Sequence, residues 1–134
     1  MHDHRNRLEE PSVKALILLS HGSHRRESTE EMLGLAEAVA ALRDQLFDHV
    51  ACAFQQFTRP TLDETVDDLV GRGVTQLVVF PLFLAAGSHV AVDVPEMIER
   101  ARQRHPEVSI AVTPHLGRIS DLASFLLEQA SRHV

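Results

Sequence analysis

The sequence has no tryptophan, no tyrosine and a single cysteine, and its formal charge of −6 is acidic rather than basic. Each shortage removes a class of function. One cysteine, Cys52, in an apolar strand-like run allows no disulfide framework and points to a reducing, cytoplasmic setting. An acidic chain with no Tyr or Trp to stack bases has no general affinity for nucleic acid or anionic membrane. No apolar run reaches membrane-spanning length, and no signal-peptide h-region is present. A Walker loop, a G-x-G-x-x-G after the first strand and a G-x-S-x-G elbow are all missing, so nucleotide binding and hydrolase chemistry lack a motif. No acidic phosphoacceptor cluster follows the first strand, which disfavours a regulatory flavodoxin-like domain.

What remains is an ordinary globular composition, 44% hydrophobic over 134 residues, enough for one domain with a real core. Residues 1–13 read as a flexible polar arm whose His2 and His4 are solvated, and residues 14–134 as a single α/β domain. Strands are expected at 14–20, 49–55, 76–82 and 108–113. Helices are expected at 29–47, 60–70, in a segment ending at His105-Pro106, and at 120–132. The first helix takes Ser28 as N-cap with Glu31 three residues on. Met32, Leu35, Ala36, Val39, Leu42 and Leu46 form its inward stripe. Pro60 suits the first turn of the second helix; Leu62, Val66, Leu69 and Val70 face inward, and Gly71 and Gly73 end it. Strand–helix alternation predicts a three-layer fold, a four-stranded parallel sheet in order 2-1-3-4 with helices on both faces. Ligands in such sheets bind beyond the carboxyl ends of strands where the order reverses.

Two histidines fall at that place. His21 follows the first strand in Ser20-His21-Gly22-Ser23, and His89 follows the third in Gly87-Ser88-His89-Val90. Neutral imidazole ligates divalent metals and accepts protons near neutral pH, so two of them over one cleft suggest metal chemistry. A strand-end histidine bonded to a carbonyl is an even alternative for His21. Gly22 would let backbone approach a ligand, with Ser20 and Ser23 adding donors. Asp93 reads first as the N-cap of the third helix, with Glu96 beside it and Pro95 in the first turn. If the segment from 89 is already helical, Asp93 instead shares a face with His89 and orients it. His115, after the edge strand, reads as rim, and His24 as a surface residue. His49, His105 and His133 sit at element ends and read as solvated. Arg25, Arg26, Arg59 and Arg118 gather in loops at the carboxyl edge, each alone a surface charge but together a candidate anion clamp.

These residues resemble the small sirohydrochlorin cobaltochelatases, the CbiX-type family of class II chelatases. The resemblance covers about Ala15 to Leu127. It rests on the strand-one His-Gly-Ser, Ala53-Phe54, Arg59-Pro60-Thr61, and above all Pro81-Leu82-Phe83-Leu84 through Gly87-Ser88-His89-Val90 to Asp93-Val94-Pro95, with Pro114 and Leu116-Gly117. It implies ATP-independent insertion of a divalent metal, Co2+ first and Fe2+ next, into sirohydrochlorin, in cobalamin or siroheme biosynthesis. His21 and His89 are then both metal-site and catalytic residues. Ser20, Gly22, Ser23, Arg25, Arg59, Gly87 and Ser88 would line the substrate, with Gln56, Asp93 and His115 in supporting positions. No tightly bound cofactor is implied, since Co2+, Fe2+ or Ni2+ is a substrate. Short members are similar to one half of longer two-domain chelatases and act as homodimers. One departure stands out. Family members place a Glu after the Ala-Phe of strand two, where this chain has Gln56. The alternative is therefore a non-catalytic metal or tetrapyrrole binding protein of the same fold.

Overall fold

A computed structural model describes residues 12–42 and 46–134. Its elements are β1 (Lys14–Ser20), α1 (Arg26–Ala40), β2 (His49–Phe54), α2 (Leu62–Gly71), β3 (Gln76–Pro81), α3 (Ser88–Arg104), β4 (Ser109–Val112), a short 3-10 helix (Leu116–Arg118) and α4 (Asp121–Ser131). The strands form one parallel sheet in the order β2-β1-β3-β4, as the alternation of strand and helix patterns predicts. Ile17 of β1 pairs with Ala51 on one side and Val79 on the other.

Side chains alternate across the sheet and feed two cores. Ile17, Leu19, Leu77 and Val79 are buried under Leu62, Val66 and Leu69 of α2 and Val90, Val94 and Ile98 of α3. On the opposite face Leu18, Cys52 and Phe54 meet Met32, Ala36 and Val39 of α1. The Cys52 thiol donates to the Met32 carbonyl at 3.0 Å, and burial raises its pKa. No described helix is long and apolar enough to cross a membrane.

Helix starts are where the structure departs most from the sequence reading. α1 begins at Arg26, not after Ser28, and Arg25 in the cap position makes no side-chain capping bond. The Arg25 N–H donates to the Ser23 hydroxyl at 3.0 Å, so the turn is organised earlier in the chain and Ser28 lies inside the helix. Its stripe is also shorter than expected. Met32, Ala36 and Val39 pack inward; Leu35 faces solvent within the helix, and Leu42 and Leu46 are exposed beyond its end at Ala40. Residues 43–45, within the expected helix, lie outside the described residues.

α2 starts after Pro60, through a capping box. The Glu64 N–H donates to the Thr61 hydroxyl at 3.2 Å, and the Thr61 N–H donates to Glu64 Oε1 at 2.9 Å. α3 starts at Ser88 and runs through Pro95, so Asp93 is interior and its N-cap reading is wrong. Pro95 cannot donate to the Ala91 carbonyl. The burial of Val90, Val94 and Ile98, spaced four residues apart on one face, holds the helix across that missing bond.

Residues 1–11 of the expected arm, with His2 and His4, lie outside the described residues. Val13 is tied to the domain: its carbonyl accepts from the N–H groups of Thr75 at 2.8 Å and Gln76 at 3.1 Å.

Candidate active site

The carboxyl edge of the sheet is built by pairing that continues past the strands. The Gln55 N–H donates to the Ser20 carbonyl at 2.9 Å, the Gln56 N–H to the His21 carbonyl at 3.0 Å, and the Leu82 N–H to the Leu19 carbonyl at 2.8 Å. His21 therefore leaves β1 fixed between the exits of β2 and β3. Its exposed imidazole lies against Phe83, ring centroids 4.3 Å apart and planes at 44°, and Phe83 itself is buried. That ring supplies a rigid apolar floor from the β3 exit, which the sequence reading had not singled out.

Gly22 also has a structural reason to be glycine. Its φ is +92°, and a Cβ there would stand 1.8 Å from the Gln56 carbonyl oxygen. The glycine admits the neighbouring loop.

His89 is the second residue of α3, reached from β3 through residues 82–87. Since β1 and β3 are hydrogen-bonded neighbours, the segments carrying His21 and His89 leave the same edge of adjacent central strands. Positions 89 and 93 are one helical turn apart and share a face of α3. Asp93 is half-buried, and the Gln55 side-chain amide donates to its Oδ2 at 3.4 Å, linking the β2 exit to α3. The other end of that amide, Gln55 Oε1, is buried without a protein partner. Sequence reasoning did not single out Gln55 at this edge. The alternation of faces along β2 gave a signal, because it turns Gln55 toward the α2–α3 side. Gln56 is exposed.

Two hollows flank this edge. A cleft of about 320 Å3 between the β1 exit and α1 is lined by Ser20, His21, Gly22 and Ser23 from the expected set, joined by Glu31 and Met32. A groove of about 380 Å3 between α3 and β4 is apolar; His115 lines it but His21 does not. The first holds the His21 imidazole and the Ser20 and Ser23 hydroxyls. A third hollow beside it is lined by His24, Arg25, Arg26 and Phe57, and the His24 and Phe57 rings approach to 4.4 Å between centroids.

The basic residues are not equally free. Arg59 is paired with Glu64, its Nε donating to Oε1 at 3.2 Å and its terminal nitrogen to Oε2. Arg25 and Arg26 make long, exposed contacts with Glu27 at 3.9 Å and Glu30 at 3.6 Å, which water screens strongly. Arg118 is exposed on the 3-10 helix. Gly87 and Ser88 open α3 with no side-chain cap, leaving first-turn N–H groups at the edge. His105 is not solvated as expected. Its Nε2 lies 2.7 Å from Asp67 Oδ1, and that hydrogen bond, with Arg104 beside it, lowers the Asp67 pKa. No group of three or more His, Cys, Asp or Glu side chains gathers to hold a metal among the described residues.

Comparison with known proteins fits this geometry. The family model described as CbiX matches residues 15–133. The sirohydrochlorin cobaltochelatase of Sulfurisphaera tokodaii is 30% identical over 114 residues, covering 85% of this chain and 88% of that protein. The sirohydrochlorin cobaltochelatase of Methanococcus aeolicus is 30% identical over 86 residues, 64% of this chain and 59% of that protein. The match thus spans about three fifths of the length of the Methanococcus relatives. A solved CbiX protein from Marinobacter aquaeolei superposes with a TM-score of 0.76 at 35% identity, covering 90% of this chain and 96% of that one. With the family model spanning nearly the whole domain, the chain belongs to the CbiX family.

Proposed function

We propose that this protein is an ATP-independent chelatase that inserts a divalent metal, Co2+ first and Fe2+ next, into sirohydrochlorin. The observation that carries the reading is the exit of the His21 and His89 segments from adjacent strands β1 and β3 at one sheet edge, in a chain of this family. Its relatives in Sulfurisphaera and Methanococcus are sirohydrochlorin cobaltochelatases.

The chemistry follows from what insertion requires. A hydrated M2+ must lose water, two pyrrole N–H bonds must break, and two protons must leave for each metal gained. His21 and His89 ligate the ion, replacing its waters, and accept protons as the ion passes to the macrocycle nitrogens. Asp93, one turn from His89 and held by Gln55, supports the α3 side of the site. The macrocycle's carboxylates lie against Arg25 and the hydroxyls of Ser20 and Ser23. The open N-terminus of α3 at Gly87 and Ser88 offers further donors. Arg59 joins only by leaving Glu64, and His115 stands at the rim. The protein works as a homodimer in the cytoplasm.

A second reading rests on Gln56. An exposed amide there cannot take a proton as a carboxylate does, which favours a carrier of metal or tetrapyrrole. One assay separates the two. Sirohydrochlorin is mixed with Co2+, Fe2+ or Ni2+, and its absorbance is followed with and without protein. Acceleration with turnover supports the chelatase; a stoichiometric spectral change without turnover supports the carrier.

A further inference from the structure

We propose that Glu31 of α1 is a metal ligand, receiving the hydrated divalent cation together with His21 in the cleft between the β1 exit and α1. The inference rests on the reading that His21 meets the metal, and it adds the carboxylate that the ion meets first.

The hollows at this edge are sorted by charge. Among the described residues that line the cleft, Glu31 carries the only formal charge, and His21 is the only other metal-ligating side chain. Arg25 and Arg26 line the neighbouring hollow instead, and Ser23 stands between, lining both. A reaction that brings a cation and a polycarboxylate to one sheet edge needs that separation. The acidic cleft draws the ion, and the basic hollow draws the macrocycle.

The position of Glu31 is set by the core. Met32, Ala36 and Val39 pack against the sheet, and the Met32 carbonyl accepts from the Cys52 thiol at 3.0 Å, which fixes the rotation of α1. Glu31 precedes Met32 and is thereby turned to the cleft. Its neighbours Glu27 and Glu30 lie against Arg25 and Arg26. Glu31 makes no ion pair or hydrogen bond with a side chain among the described residues, so no ion pair has to break for it to take a ligand.

Size and chemistry agree. A carboxylate oxygen and an imidazole nitrogen suit Co2+, Fe2+ and Ni2+. An ion with six waters fills about 200 Å3, at about 30 Å3 per water, and the cleft offers about 320 Å3. The ion therefore enters hydrated, and Glu31 and His21 each replace one water. The hydroxyls of Ser28 and Thr29, also in the cleft wall, accept from waters that remain. Phe54 and Leu82 back the cleft, which keeps the local dielectric below that of bulk water and strengthens the attraction. Two protein ligands hold the ion less firmly than the four of a structural site, so it can move on to the macrocycle.

The test titrates Co2+ alone into the full chain, without tetrapyrrole, and reads the visible absorption of the bound ion. Glu31→Gln should weaken Co2+ binding by about tenfold or more. Glu37→Gln removes the same charge from the same helix outside the cleft, and should change it less than about twofold. In a His21→Ala background, Glu31→Gln should cause little further loss, because the two share one ion. In insertion assays with sirohydrochlorin, Glu31→Gln should raise the KM for Co2+ more than it lowers kcat. Unchanged binding in Glu31→Gln, equal losses in the two glutamine variants, multiplicative losses with His21→Ala, or no Co2+ binding by the wild type would each overturn the proposal. Insertion with Co2+ binding independent of Glu31 leaves the chelatase reading standing without it. Glu31-dependent binding without insertion leaves the metal site standing and removes the chelatase.

Discussion

Replacing Gly22 with Ala tests how the site is held together. The backbone at Gly22 has φ +92°, and putting an L-residue in that region costs roughly 1–2 kcal/mol. The added methyl would also sit 1.8 Å from the Gln56 carbonyl oxygen, far inside contact distance. Relief requires residues 55–57 to move, which threatens the Gln56 N–H to His21 carbonyl bond of 3.0 Å, worth about 1 kcal/mol net. The total is about 2–3 kcal/mol, or a fall in melting temperature on the order of 10 °C. Gly34→Ala is the matched control. Gly34 lies inside α1 with nothing within 4 Å of its added Cβ, so the change should stabilise by about 0.5–1 kcal/mol. Thermal unfolding followed by circular dichroism reads both. If Gly22→Ala melts with the wild type while Gly34→Ala behaves as stated, the close packing of the β1 and β2 exits is not what holds His21.

Four further residues have expected outcomes in the same structure. Gln56→Glu should raise the insertion rate, by less than the ~10²–10⁴-fold of a well-placed base because histidine already serves; steady-state absorbance kinetics read the change. Phe83→Ala removes a fully buried ring and should cost about 3–5 kcal/mol in urea unfolding. Phe83→Leu should keep most of the fold but slow insertion, because the floor under His21 changes shape. Asp67 has a lowered folded pKa, so its contribution is present above the unfolded value of about 3.9 and is lost as pH falls through the folded one. Asp67→Asn should therefore flatten the loss of stability on acidification below about pH 4. Cys52, buried and bonded to the Met32 carbonyl, should resist a thiol reagent in the native protein and react at once after denaturation.

The sheet was legible because its strands are short apolar runs closed by Gly, Ser and Pro, and strand–helix alternation leaves few topologies. The exits of residues 21 and 89 at one edge follow from that order alone. Helix starts were harder. Ser28 and Glu31 have capping-box spacing, yet the Ser23 hydroxyl captures the turn first. Thr61 and Glu64 have the same spacing and do form the box, so the motif alone does not choose. Pro95 suggested a first turn, but burial of Val90 and Val94 carried the helix past it. The site partners were least legible. Arg59 lies five residues from the Glu64 that occupies it, and the Gln55–Asp93 bond joins elements 38 residues apart, a tertiary contact with no local signature. α4 has the apolar pattern of a packed helix but buries none of its residues among the described ones.

The central claim is that His21 and His89 act as one metal-delivering unit, and a double-mutant cycle on insertion tests it most directly. His21→Ala, His89→Ala and the double variant are assayed with sirohydrochlorin and Co2+ beside the wild type, each checked for folding. Groups that act as a unit are strongly non-additive. The account predicts that either single change lowers the rate nearly as far as both together, with Co2+ affinity falling in parallel. Independent, multiplicative losses, or full activity in His89→Ala, would contradict it.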